Sequence, residues 1–398
     1  MLFYNSLLYS ISLSLIIIFV NFVIFYFYST TRKIEKNISN AIFFISLIFT
    51  IFYLSNDILS LLKISPGSDA ISYYFNAEEK IKYEKIPFIP GHNFFLYLVY
   101  ILKKLSFDFV STNFLFGLFS SISSLIFYDC ISKYFTNKYD NYIILFFIFL
   151  PSYNFWSSGI SKDTITIFLF SVFILSFIKN NLKYFLISLV ILSFIRLHLA
   201  YLVILSFLFT SIISLLLFKF FKNGFMFFGN KINFANMINL SVSLIFLSLF
   251  IFYFFYPDQL FRIKETIDHF QSMYPGENFI KSTNFFMRAL EYLFRPFLWE
   301  EGSLFLNFIK IENLFLLILL LFLFYNFGRI FVRFKKVFLN RFDLKIFILI
   351  SFIFIAIFQI LLTSNYGIAL RQKWSFIPGI VFLIYYLKFF LKKNITEK

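Results

Sequence analysis

The chain has 398 residues, 60% of them hydrophobic and 14% charged, with a mean hydropathy of +0.83. A soluble domain is nearer half apolar and a quarter charged, so this excess cannot be buried in one water-soluble core. The composition excludes a soluble enzyme, a secreted disulfide scaffold and a nucleic-acid reader. The net charge of +16 belongs to the short basic loops of a membrane protein. The single cysteine, Cys130, excludes an internal disulfide and a cysteine-based metal cluster. The 69 Phe residues accompany abundant Ile, Asn, Lys and Tyr. All of these have A/T-rich codons, so base composition accounts for them and no Phe stripe is counted as a site.

The first apolar run, residues 6–30, has no basic residue before it and no small-residue cleavage site, which favours a retained helix over a signal peptide. Further runs follow at 40–62, 109–130, 141–156, 164–178, 184–195, 199–218, 235–256, 306–327, 346–362 and 374–390. The expected fold is all-α, a polytopic transmembrane helical bundle of about 11 spans with long extracytoplasmic loops. The stretch 184–218 sets the count. As one helix its 35 residues reach about 52 Å, against a hydrocarbon core of about 30 Å. Lys179 and Lys183 precede it, Lys219 and Lys222 follow it, and Arg196-Leu197-His198 interrupts it. Two helices meeting at Arg196 are therefore expected.

With the N-terminus outside and the C-terminus inside, the inner segments hold 20 of the 36 Lys and Arg but only five acids (Glu35, Asp129, Asp140, Asp343 and Glu397). That asymmetry matches the positive-inside rule. Residues 1–38 then form an extra N-terminal transmembrane helix. Residues 39–233 form a transmembrane core with the external loop 63–108, and residues 234–398 a C-terminal module with the external loop 257–305. Six of the eight prolines (Pro66, Pro87, Pro90, Pro257, Pro275 and Pro296) fall in these two loops, which marks irregular backbone. No internal repeat is visible.

The residues able to do chemistry lie in the outer segments. Ser65-Pro66-Gly67-Ser68-Asp69 is a turn signal that ends in a carboxylate. Asp69 there either accepts a proton or ligates a cation, or it is a solvated cap of the following helix. Residues 93–104 suit a helix lying on the surface. The turn Pro151 to Asp163 is polar and rich in small residues. Its Lys162 and Asp163 either face a polar cavity or neutralise each other, with Ser161 or Asp163 as the helix cap. Arg196 suits bidentate recognition of phosphate or a reach to lipid headgroups, and His198 an acid, base or ligand role or a spacer. Tyr292 to Glu300, with Arg295, Trp299 and Glu300, suits a sugar, because rings stack on sugar faces and carboxylates hold hydroxyls. It equally suits the interfacial aromatic belt. Arg371 and Lys373 are outer-face cations that suit an anionic ligand or phospholipid headgroups.

Gly67-Ser68-Asp69 with Tyr73, the surface helix, Ser161-Lys162-Asp163 and Arg196-Leu197-His198 come in an order that resembles GT-C membrane glycosyltransferases. Arg295-Pro296-Phe297 with Trp299-Glu300, and Asn365-Tyr366-Gly367 with Arg371, resemble elements of related bacterial surface-polysaccharide proteins such as O-antigen polymerases. The resemblance implies catalytic carboxylates at Asp69 and Asp163, which would also hold a divalent cation if one is used. It implies donor-phosphate contacts at Arg196, Arg371 and Lys162, and substrate contacts at His198, Arg295, Trp299, Glu300 and Tyr73. The expected activity is transfer of a sugar from a polyprenyl-phosphate-type lipid donor to a glycan or lipid acceptor. It takes place on the outer face of the bacterial cytoplasmic membrane, in cell-surface polysaccharide biosynthesis. An O-antigen or capsule polymerase and a lipid-linked glycan flippase are the alternatives. The partners are then the bilayer, the lipid-linked donor and the acceptor, with no nucleic acid.

Overall fold

The computed structural model describes residues 2–62, 69–179, 181–206, 225–227, 230–232, 284–301, 307–322, 325, 345–363 and 366–396. The chain divides into two units. The first comprises Met1–Lys133, Tyr139–Leu175 and Leu186–Leu197, and the second Tyr134–Lys138, Ser176–Phe185 and His198–Lys398. Among the described residues the architecture is all-α, apart from one antiparallel pair of three-residue strands, Phe225–Phe227 and Asn230–Ile232.

In the first unit α1 (Leu2–Thr31) and α2 (Lys36–Leu61) both pack against α5 (Phe109–Ser132). By length and composition, Leu8–Thr31, Lys36–Leu61 and Phe109–Ser132 are able to cross a membrane. A fourth crossing arises if α7 (Pro151–Ser157) and α8 (Lys162–Ile178), bent by 104°, form one broken span. The described residues thus carry three or four of the eleven expected spans, and the run 235–256 lies outside them. Leu182–Ile195 (α9), Leu197–Ser206 (α10) and Ser351–Leu361 are apolar but short. The chain does break at Arg196, between α9 and α10.

α5 is the axis of this unit: 72% of its most apolar window is buried, against 22% for α1. Asp108 caps it by accepting from the Ser111 backbone N–H at 2.7 Å. Its buried Ser, Thr, Asn and Gly residues let neighbouring helices approach closely and hydrogen-bond, the usual adhesive where lipid removes the hydrophobic drive. A Cβ on Gly117 would lie 2.4 Å from Thr50 Oγ1 of α2, and Ser121 donates to Asn21 Oδ1 of α1 at 3.0 Å. At the C-terminal ends of α1 and α5 the buried Asp129 accepts from Tyr28 OH (3.1 Å) and pairs with Arg32 (3.5 Å) and Lys133 (3.6 Å).

Between α7 and α8 the chain turns on Gly159, at φ +74°, where a Cβ would fall 2.1 Å from the Tyr53 ring. Ser161 Oγ accepts from the Thr164 backbone N–H at 3.1 Å, and Asn113 Oδ1 accepts from the Ile160 backbone N–H at 3.2 Å. Ser161 is therefore the cap of α8, and Asp163 is left to act elsewhere.

α3 (Asp69–Lys82) and α4 (His92–Lys104) pack on each other. α4 is amphipathic, with Phe95, Leu96 and Val99 buried, and the stretch 93–104 is helical as expected. The remaining helix of this unit is α6 (Lys138–Ile148).

The second unit contains α11 (Phe285–Phe294), α12 (307–322), α13 (Lys345–Leu362), α14 (Tyr366–Gln372), the 3-10 turn Lys373–Ser375 and α15 (Ile377–Thr396). Arg288 of α11 donates to the Ile360 and Thr363 carbonyls at 2.7 and 3.2 Å. These are among the last acceptors of α13, which a helix end cannot satisfy from within.

Gly159→Ala combines left-handed strain with a collision against Tyr53. It is expected to cost about 2 kcal/mol or more, read as a lowered melting temperature of the detergent-solubilised protein. Ser161→Ala, which loses the cap and the hydroxyl contact to Thr164, costs about 1 kcal/mol in the same assay.

Candidate functional site in the first unit

Five of the residues singled out from the sequence, Asp69, Tyr73, Lys162, Asp163 and Arg196, belong to the first unit. Asp69 opens α3, exposed at its first residue. One turn on, the buried Tyr73 ring lies 5.3 Å from the ring of His92, the first residue of α4. Lys162, the first residue of α8, places its Nζ 5.8 Å from the Tyr73 ring centre. The N-terminal turns of α3, α4 and α8 therefore meet around Tyr73. Each brings backbone N–H groups without intrahelical partners and the positive end of a helix dipole.

The end of α9 is tied to the same place. The Gly91 backbone N–H donates to the Phe194 carbonyl at 2.7 Å, and the rings of Phe94 and Phe194 lie 5.1 Å apart. Two residues further on, Arg196 donates through Nη2 to Asp163 Oδ1, and both residues are buried, 9% and 7% exposed. A guanidinium carries five N–H donors. Among the described residues the groups on Nε and Nη1 have no hydrogen-bond partner. The carboxylate thus fixes the plane of the guanidinium, and among the described residues the other edge of the guanidinium has no partner.

His92 is exposed. Partial burial, Lys162 and Lys80 together push its pKa below the usual histidine value of 6.5, with Asp69 acting the other way. It is therefore largely neutral at pH 7. Among the described residues its ring nitrogens accept and donate no hydrogen bond.

Asp57, fully buried one turn beyond Tyr53 in α2, is a residue that the sequence reading passed over. The signal was present: an acid inside an otherwise apolar run is a functional candidate by default, because its burial is costly. Among the described residues no three His, Cys, Asp or Glu side chains gather closely enough to hold a metal ion. Asp163 is engaged by Arg196 through Oδ1.

The other five candidates belong to the second unit. His198 is exposed and its ring stacks near Phe358 at 6.1 Å. Arg295 Nε pairs with Glu300 Oε1 at 2.8 Å, and Trp299, 79% exposed, stacks on Phe297 at 4.8 Å and 14°. Arg371 is half-buried near the end of α14. Its neighbour Lys373 departs from expectation. It is fully buried rather than an outer cation, and it donates to Asn313 Oδ1 at 2.7 Å and the Leu293 carbonyl at 3.2 Å. Burial pushes its pKa down to about 8. Lys373 is thus a structural tie between α11, α12 and the 3-10 turn. Ser65 to Ser68, Asn365 and residues 257–283 and 302–305 of the long outer loop lie outside the described residues.

Comparison of the chain with protein-family models, with curated proteins and with solved structures gives no match to any of them.

Removing either member of the buried pair leaves an uncompensated charge. Asp163→Asn and Arg196→Gln are each expected to cost about 3–5 kcal/mol. The double variant should cost clearly less than the sum, measured as a double-mutant cycle on the detergent-solubilised protein.

Proposed function

We propose that the protein is an integral membrane glycosyltransferase that moves a sugar from a polyprenyl-phosphate-type lipid donor to a glycan or lipid acceptor at the outer surface of the bacterial cytoplasmic membrane. The carrying observation is the half-occupied Arg196 guanidinium, buried against Asp163 beside Lys162 and the converging helix N-termini. A lipid-linked sugar presents phosphate at headgroup depth, and sugar transfer leaves a developing negative charge on that phosphate. Fixed cations and N–H groups stabilise such charge most where water is scarce. Asp163 then orients Arg196, and Lys162 meets the remaining phosphate charge. Asp69 supplies negative charge at the rim, where the acceptor hydroxyl enters. Trp299, Phe297 and the Arg295–Glu300 pair have the chemistry of a sugar platform. The finer topology of eleven spans, N-terminus out and C-terminus in, belongs to the same proposal. It accords with Arg32, Lys133 and Asp129 sharing one end of α1 and α5.

In cells whose only copy carries Asp69→Asn, the protein remains at normal level in the membrane. Surface glycan falls, and lipid-linked precursor accumulates with transfer slowed about 100-fold; unchanged glycan and precursor sink the reading. Purified protein binds polyprenyl diphosphate, and Arg196→Lys weakens that binding about tenfold because a point charge cannot replace the planar fork. Single cysteines placed near Asp69, Asp163 and Arg295 react with a membrane-impermeant reagent from outside, over a low background because Cys130 is fully buried. Labelling from the inside only would overturn the topology.

A further inference from the structure

The proposed reaction needs a group to take the acceptor's proton, and the resemblance assigns that to a carboxylate at Asp69. We infer that His92, at the first turn of α4, is the proton acceptor, and that Asp69 acts on it from α3 as a positioning and charge-balancing residue. This inference rests on the glycosyltransferase reading and names a further catalytic residue for it.

Three observations carry it. First, His92 is held in place rather than dangling. Its ring lies 5.3 Å from that of the buried Tyr73, which also meets Phe95 at 4.6 Å. Asn93 and Tyr97 bond back to the Pro87 and Ile86 carbonyls at 3.1 and 2.8 Å and fix the loop that delivers it. Second, it stands between the two parts of the site. Gly91, immediately before it, is bonded to Phe194, two residues from Arg196. Lys162, next to Asp163, approaches the same Tyr73 ring. A hydroxyl at His92 is therefore beside the place where the donor phosphate is gripped. Third, the residue is exposed and its ring has no hydrogen-bond partner among the described residues, so it can accept one from a substrate.

The charged and titratable groups facing it are Asp69, Tyr73 and Lys80 from α3 and Lys162 from α8. α9 contributes the Phe194 carbonyl, with Arg196 two residues on. Partial burial, with Lys162 and Lys80, favours the neutral imidazole that can accept a proton, and Asp69 stabilises the imidazolium once it forms, as carboxylates do beside catalytic histidines.

The step balances. The acceptor O–H proton passes to the free ring nitrogen of His92 while the oxygen forms a bond to the anomeric carbon of the donor sugar. The bond from that carbon to the phosphate oxygen breaks, and its electron pair leaves with the polyprenyl phosphate. Arg196 and Lys162 offset the charge left there.

The test uses native membranes with their own pool of lipid-linked sugar, comparing wild type, His92→Gln and His92→Ala for initial transfer rate between pH 5 and 8. Protein level and polyprenyl diphosphate binding serve as checks that the variants fold. The wild-type rate is expected to fall with acid through an apparent pKa below about 6.5, the ordinary histidine value. His92→Gln loses about 100-fold together with that acid limb, and added imidazole restores part of the His92→Ala rate. A His92→Gln rate within about threefold of wild type, or an acid limb that survives in the variant, overturns the assignment. So does a loss that imidazole leaves untouched. Wild-type membranes that transfer nothing sink the glycosyltransferase reading itself and take this assignment down with it. That failure is distinguishable because it precedes any effect of the variants.

Discussion

The first unit is organised around one costly interaction, the buried ion pair between Arg196 and Asp163. An isolated guanidinium at that depth would be expensive, and so would an isolated carboxylate. Each makes the other tolerable. Their positions follow from chain geometry: Asp163 is in the first turn of α8 and Arg196 stands at the break between α9 and α10. The pair can form only if the break at Gly159 turns α8 so that its N-terminus meets the end of α9. The left-handed φ of Gly159, the Ser161 cap and the Asn113 contact to Ile160 are the local means of that turn.

The same constraint explains why polar residues concentrate in α5 and in the turn 151–163. A bundle in lipid gains nothing from apolar association as such, so close approach and hydrogen bonding must hold it. Gly117 against Thr50, and Ser120 against Ser157 at 2.8 Å, supply that contact. The second unit solves a related problem differently. There Lys373 and Arg288 reach backbone carbonyls that the ends of α11 and α13 leave open.

Much of the site was legible in the chain. Asp69, Lys162, Asp163 and Arg196 stood out as charges at the edges of apolar runs, and the break at Arg196 followed from helix length against bilayer thickness. His92 was visible but carried no role, because nothing in a linear pattern says that the starts of α3, α4 and α8 converge on Tyr73. Phenylalanines set aside as compositional bias turn out to have a place: Phe94 against Phe194 helps dock α4 on the end of α9. Asp57 was overlooked within an apolar run, and Lys373 was read as an exposed cation because a loop lysine usually is one.

Composition and hydropathy by themselves determined that the chain carries helices long and apolar enough to cross a membrane. In lipid, backbone groups have to be satisfied within helices. What only the tertiary structure decided was pairing: which carboxylate neutralises Arg196, which serine caps α8, and which lysine is buried. Hydropathy is a property of residues one at a time. An ion pair between positions 163 and 196 depends on two helix ends meeting in space, a relation that no single residue's chemistry contains.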